Sequence, residues 1–83
     1  MEAEWDPVKN GRLKKTRGVS FEEILSAKFI AIEKHPSKTL QERLLVEWKG
    51  YVWVVPFVRS EGKIFLKTIF PSRKHTKRYR KAR

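Results

Sequence analysis

The chain of 83 residues can build one core in one domain, and a domain of this size buries only about 60% of the surface its unfolded chain exposes. It has no cysteine, which excludes a disulfide framework and thiolate metal sites, and its two histidines, His35 and His75, stand too far apart in sequence to suggest zinc. Its 20 basic and 9 acidic residues give a net charge of +11, and every acidic residue lies at or before Glu61, so residues 62–83 carry nine cations and no anion.

A segment charged this way repels itself unless a polyanion shares it, and its cations are interleaved with structure-forming residues in a way that a merely solubilising tail is not. The acidic start Glu2-Ala3-Glu4 lacks the basic-then-apolar order of a secretory signal. The longest apolar run, Tyr51 to Val58, is broken by Pro56 and falls far short of the roughly 20 residues a membrane-spanning helix needs. A cytoplasmic protein without a membrane segment is expected.

In chain order, Asp6-Pro7 is a helix start: the aspartate can accept from early backbone amides, and proline suits the first helical position. A basic helix is predicted from Pro7 to about Arg17, closed by Gly18 in the left-handed conformation. Val19-Ser20-Phe21-Glu22-Glu23-Ile24 then combines capping-box spacing (Ser20, Glu23) with hydrophobic-staple spacing (Val19, Ile24). The helix it opens is predicted to reach about Lys28, with Phe21, Ile24 and Leu25 on the core. Beyond it the period changes. Residues 29–33, 43–48, 51–58 and 64–70 are runs of β-branched, aromatic and aliphatic residues separated by turn signals, which predicts four antiparallel strands. Lys49-Gly50 and Glu61-Gly62 join hairpins, and a longer polar loop spans 35–42. Pro71 ends the last strand, and Ser72 caps a basic helix running to the C-terminus. The fold class is α+β: two N-terminal helices, a four-stranded antiparallel sheet and a C-terminal basic helix.

The usual catalytic sets are missing: no carboxylate pair in an apolar setting, no glycine-rich phosphate loop, no Ser-His-Asp arrangement, and no motif for a metal or another cofactor. What remains is the junction Lys67 to Tyr79, where cations, one imidazole and one phenol crowd a helix start. Backbone amides there point at an anion, and the Arg73 guanidinium offers a planar fork for phosphate. RNA suits these groups better than DNA, because its 2′-hydroxyl can attack the neighbouring phosphate without a metal ion. Catalysis then needs only positioning, proton transfer and charge stabilisation. Arg73 and Lys74 are the candidates for stabilising the pentavalent transition state, and His75 or a lysine such as Lys67 for carrying the proton. Lys77, Arg78, Arg80 and Lys81 would hold the RNA backbone, and Tyr79 could stack on a base or pack the helix onto the sheet.

Register at Glu61-Gly62 decides whether Arg59 joins this set. A two-residue loop sets Arg59 opposite Ile64 and Lys67 opposite Pro56, on opposite faces; a three-residue Ser60-Glu61-Gly62 loop brings Arg59 and Lys67 to one face. Glutamate is a poor occupant of the first position of a type I′ turn, so the three-residue form is expected, with Arg59 in the catalytic group.

Glu4-Trp5-Asp6-Pro7-Val8-Lys9, then Gly18-Val19-Ser20-Phe21-Glu22-Glu23, then Ser72-Arg73-Lys74 with Thr76-Lys77-Arg78 behind it, resemble in order and spacing the BrnT family of toxins. The resemblance covers nearly the whole chain. It implies a RelE-like ribonuclease fold, metal-independent RNA cleavage that arrests growth, and neutralisation by a ribbon-helix-helix antitoxin, BrnA, whose DNA-binding arm represses the operon. By position, the family's basic residues fall on Arg73 and Lys74, and a further arginine on Arg59. The chain departs from the family pattern at Arg17, Leu13 and Tyr79, where histidine, asparagine and an acidic residue are usual. The last departure removes a carboxylate base and leaves room for His75.

Two other readings stand beside this one. Leu45-Val46-Glu47-Trp48-Lys49-Gly50-Tyr51 resembles a chromodomain strand and turn, but the acidic and aromatic continuation is replaced by Val52 to Val58. A non-catalytic RNA-binding protein, associated with the ribosome, accounts for the same charge without a cleavage step.

Overall fold

The computed structural model describes residues 2–82, and its first element is one that local signals do not predict. β1 (Glu2–Glu4) lies parallel to β5 (Lys63–Leu66), pairing Glu2 with Lys63 and Glu4 with Phe65. The Lys63 Nζ stands 3.4 Å from the Glu4 carboxylate and 3.8 Å from that of Glu2. Three acidic-flanked residues carry no strand signature of their own; an unpaired sheet edge and a lysine recruit them.

α1 (Pro7–Arg17) starts with the Asp6 carboxylate accepting from the Val8 N–H at 2.9 Å and ends at Gly18, φ 74°. α2 (Phe21–Leu25) has its capping box in place: Ser20 Oγ accepts from the Glu23 N–H at 3.2 Å, and the Glu23 carboxylate accepts from the Ser20 N–H at 2.9 Å. It ends three residues earlier than expected, because β2 (Lys28–Lys34) takes over the chain, and Leu25 is left 41% exposed instead of on the core.

β2, β3 (Gln41–Trp48), β4 (Tyr51–Ser60) and β5 form an antiparallel meander. The four-stranded antiparallel sheet expected from sequence is therefore a six-stranded mixed sheet, ordered β1-β5-β4-β3-β2, with β6 (Phe70–Pro71) also on β4. The run expected as one strand over 64–70 is divided between β5 and β6. The Lys67 N–H donates to the Pro56 carbonyl at 2.8 Å, but proline has no N–H to return. Pairing lapses there, and the chain rejoins β4 where Phe70 faces Val54.

Both hairpins have two-residue turns with positive φ at both central positions: Lys49 at 53° and Gly50 at 76°, Glu61 at 52° and Gly62 at 79°. Ser60 pairs with Lys63 and Arg59 with Ile64, which corrects the three-residue loop. Two effects outweigh the poor fit of glutamate at positive φ. A turn of this hand matches the twist of the strands, and this register alone buries both Phe57 and Leu66, each 1% exposed, on the same face.

Strand alternation divides the apolar residues between two faces. On one, α1 and α2 bring Leu13, Val19, Phe21 and Ile24 against Leu44, Val46, Val55, Phe57, Leu66 and Ile69. On the other, Leu45, Val52 and Val54, flanked by Ile30, Ala31 and Phe70, lie beneath α3 (Arg73–Ala82) and its Tyr79. Phe21 and Phe57 are fully buried, and truncating either to alanine would cost about 3–5 kcal/mol. Arg83, where the C-terminal helix was expected to end, lies outside the described residues.

Candidate nucleic-acid interface

α3 is bound to the sheet along its length by polar contacts. Thr76, 3% exposed, accepts from the Val52 N–H at 2.9 Å and donates to the Ser72 carbonyl at 2.6 Å, while the Ser72 N–H donates to the Val52 carbonyl at 2.9 Å. The first turn of α3 thus satisfies the backbone where β4 begins. Farther along, the Tyr79 hydroxyl donates to the Glu47 carboxylate at 3.1 Å and the Arg80 guanidinium to the Gly50 carbonyl at 2.9 Å. The start of α3 is capped by Ser72 Oγ, which accepts from the His75 N–H at 3.1 Å.

With Thr76 held inward, helical geometry turns the cations outward. Arg73, Lys74, Lys77, Arg78 and Lys81 are all exposed and line an open groove of about 600 Å³. Among the described residues none of the five forms a salt bridge, whereas the carboxylates of Glu2, Glu4, Glu23, Glu33 and Glu42 all lie in ion pairs elsewhere. The groove therefore keeps its full positive field.

His75 sits at the edge of this groove but faces inward, its side chain 10% exposed. Its Nε2 lies 2.9 Å from the Glu33 carboxylate and its Nδ1 2.6 Å from Ser72 Oγ. Since an ionised carboxylate only accepts, Nε2 carries a proton, and in the neutral imidazole Nδ1 then accepts from the Ser72 hydroxyl. Arg43, directly opposite Glu33 across β2 and β3, completes the chain by donating to the same carboxylate oxygen. Burial pushes the Glu33 carboxyl up, but His75 and Arg43 together outweigh it and hold the group below the ordinary carboxylate range. The result is a relay of hydrogen bonds, Arg43–Glu33–His75–Ser72, ending at the first turn of α3.

The residues singled out from sequence are only partly brought together. Arg73, Lys74, Lys77, Arg78 and Lys81 share the groove, and His75 lies beyond its edge, on the flank of α3 that faces β2. Lys67 is exposed on the α3 side of the sheet, its Nζ 5.7 Å from the centroid of the Phe65 ring. Arg59 does not join them. The two-residue turn sends it to the face of α1 and α2, where it is paired with Glu42; that bond holds the Glu42 carboxyl below its usual range and raises the guanidinium. Arg80 turns away to the Gly50 carbonyl, and the ring of Tyr79 packs on the sheet. Sequence reasoning missed Glu33 and Arg43 altogether and saw Ser72 only as a cap. The available signal was the pairing of an acid with a base at facing positions of a predicted hairpin. Among the described residues, no group of three or more metal-ligating side chains is placed to hold an ion.

No protein-family model matches this sequence, and no curated protein matches it significantly. Among solved structures, the chain is similar to the 1.1 Å crystal structure of the ribonuclease toxin BrnT from Brucella abortus. The match has a TM-score of 0.57 and 22% identity, and covers 87% of this chain and 96% of that one. At this identity the likeness is one of fold, and it extends over nearly all of both chains.

Proposed function

We propose, from the fold it shares with a ribonuclease toxin, that this protein is an endoribonuclease that cleaves RNA without a metal ion and arrests growth, the whole chain acting as one toxin domain. The observation that carries the reading is the set of five cations, Arg73, Lys74, Lys77, Arg78 and Lys81, that form no salt bridge among the described residues and lie on a helix docked firmly to the sheet. In this mechanism Arg73 and Lys74 hold the scissile phosphate and stabilise the charge that grows on it. The 2′-hydroxyl attacks phosphorus as its proton passes to Ser72 Oγ and the Ser72 proton to His75 Nδ1, the resulting imidazolium being balanced by Glu33. The bond to the 5′-oxygen breaks, and that oxygen takes a proton from Lys67. The products are a 2′,3′-cyclic phosphate and a 5′-hydroxyl.

Incubating the protein with RNA in excess chelator should give a ladder with cyclic phosphate ends. Arg73→Ala should relieve growth arrest with the fold intact, because an exposed arginine contributes little to stability, and Arg59→Ala, on the far face, should leave cleavage unchanged. Undiminished toxicity of Arg73→Ala would refute the catalytic assignment. A second reading, a non-catalytic ribosome-associated RNA-binding protein, is favoured by one observation: both ring nitrogens of His75 are engaged within the protein. It predicts binding and no ladder.

A cytoplasmic toxin of this kind needs a cognate antitoxin, and a BrnA-like protein with a ribbon-helix-helix domain fits that role, laying an acidic or amphipathic segment across Arg73 and Lys74. DNA would then be bound through the antitoxin alone. High salt should release active toxin from the complex; indifference to salt would point to an apolar interface.

A further inference from the structure

We propose that the apolar cleft between α3 and β2 receives an unpaired nucleobase of the RNA, whose phosphate lies on the neighbouring cations; this deepens the ribonuclease reading and rests on it. The cleft has a volume of about 200 Å³ and is floored by Leu45 and Val52, 7% and 1% exposed. One wall is Ile30. The register shift between Phe29 and Ala31 puts an extra residue into β2, so that Ile30 and Ala31 both pack on the α3 side. The opposite wall is the flank of α3: His75, Tyr79 and Ala82.

The link to RNA is the helical order of α3. At 100° per residue, Arg73, Lys77, Lys81, Lys74 and Arg78 follow one another around the outer side, and Ala82, His75 and Tyr79 come next, facing β2. Arg78 stands at the boundary and lines both the cation groove and the apolar cleft. A nucleotide has this same arrangement, an anion joined to a flat group with apolar faces. The Tyr79 ring is fixed by its hydroxyl bond to Glu47, so a base can enter beside a rigid aromatic wall with a guanidinium at the rim. An apolar side chain from a protein partner would fill the cleft equally well, but it would make no use of the cations continuous with its rim.

Ala82 is exposed and lines the cleft, and the floor residues lie beneath it, so Ala82→Trp can obstruct the cleft while leaving the core intact. Binding of the four nucleoside 3′-monophosphates, followed by amide shifts, should perturb Ile30, Tyr79 and Ala82 in the parent. Ala82→Trp should weaken the tightest of them roughly tenfold, the effect of losing one stacked base, while Ala82→Ser should not. The same tryptophan variant should still cut RNA but with a flatter preference for the base beside the cut. The proposal is overturned if the nucleotides perturb only the outer cations, if Ala82→Trp cuts with the parent's sequence pattern, or if it blocks only binding of a protein partner. Nucleotide binding in the cleft without any cleavage by the parent would sustain the site and refute the nuclease reading instead.

Discussion

Thr76→Val replaces a buried hydroxyl with a methyl of nearly the same shape and tests whether the first turn of α3 is what anchors the cation groove. The Thr76 hydroxyl is the partner of the Val52 N–H, and Val52 is 1% exposed, so valine leaves a buried donor unsatisfied. The Ser72 carbonyl keeps the Thr76 N–H at 3.0 Å and is not orphaned. An orphaned donor costs about 1–3 kcal/mol, and the added apolar group returns about 0.8 kcal/mol, for a net loss of about 0.2–2.2 kcal/mol. For a domain of this size that corresponds to a fall in Tm of roughly 1–18 °C. Thr76→Ser keeps the hydroxyl and loses a buried methyl, at about 0.8 kcal/mol, so the two variants separate at the Val52 amide rather than in Tm. Thermal melts followed by circular dichroism give the fall in Tm, and hydrogen exchange at the Val52 amide reports the site directly. Protection of the Val52 amide in Thr76→Val equal to the parent's, or lower protection there in the serine variant than in the valine one, would refute the reasoning.

Glu33 has a folded pKa below its unfolded value, so the stability it contributes is fully present above the usual carboxylate pKa of about 4.3 and is lost as pH falls through the lower folded value. Urea midpoints between pH 7 and pH 3 should therefore fall less steeply for Glu33→Gln than for the parent; parallel curves would remove Glu33 from the relay. Single-stranded RNA affinity should drop with salt, and Lys77→Ala should reduce the slope of log K against log salt by about 0.7, the share of one phosphate contact. Glu61→Asn places a residue tolerant of positive φ at a position held at 52° and should raise stability by about 0.5–1 kcal/mol, read as a higher urea midpoint.

The elements that could be read from sequence are those whose signals are local. The Asp6-Pro7 start, the Gly18 stop, the Ser20–Glu23 box and the two glycine turns each depend on side chains within four residues of the backbone they satisfy. The cation groove was legible for the same reason: five residues within nine positions share one side of a helix once Ser72 starts it. β1 was not legible, because its strand state comes from a partner some sixty residues away, nor was the break at Lys67, which comes from a missing donor on another strand.

The sequence by itself determined a small basic α+β domain with its positive charge gathered on the last helix, since composition and helical period need no knowledge of what packs where. Only the tertiary structure decided which charges line an open groove and which face one another. Turn geometry sent Arg59 to Glu42, and the facing of β2, β3 and α3 joined Arg43, Glu33 and His75 across gaps of 10 and 42 residues. Such pairings are fixed by burial of the whole sheet on both faces, a free energy that no short stretch of chain carries alone.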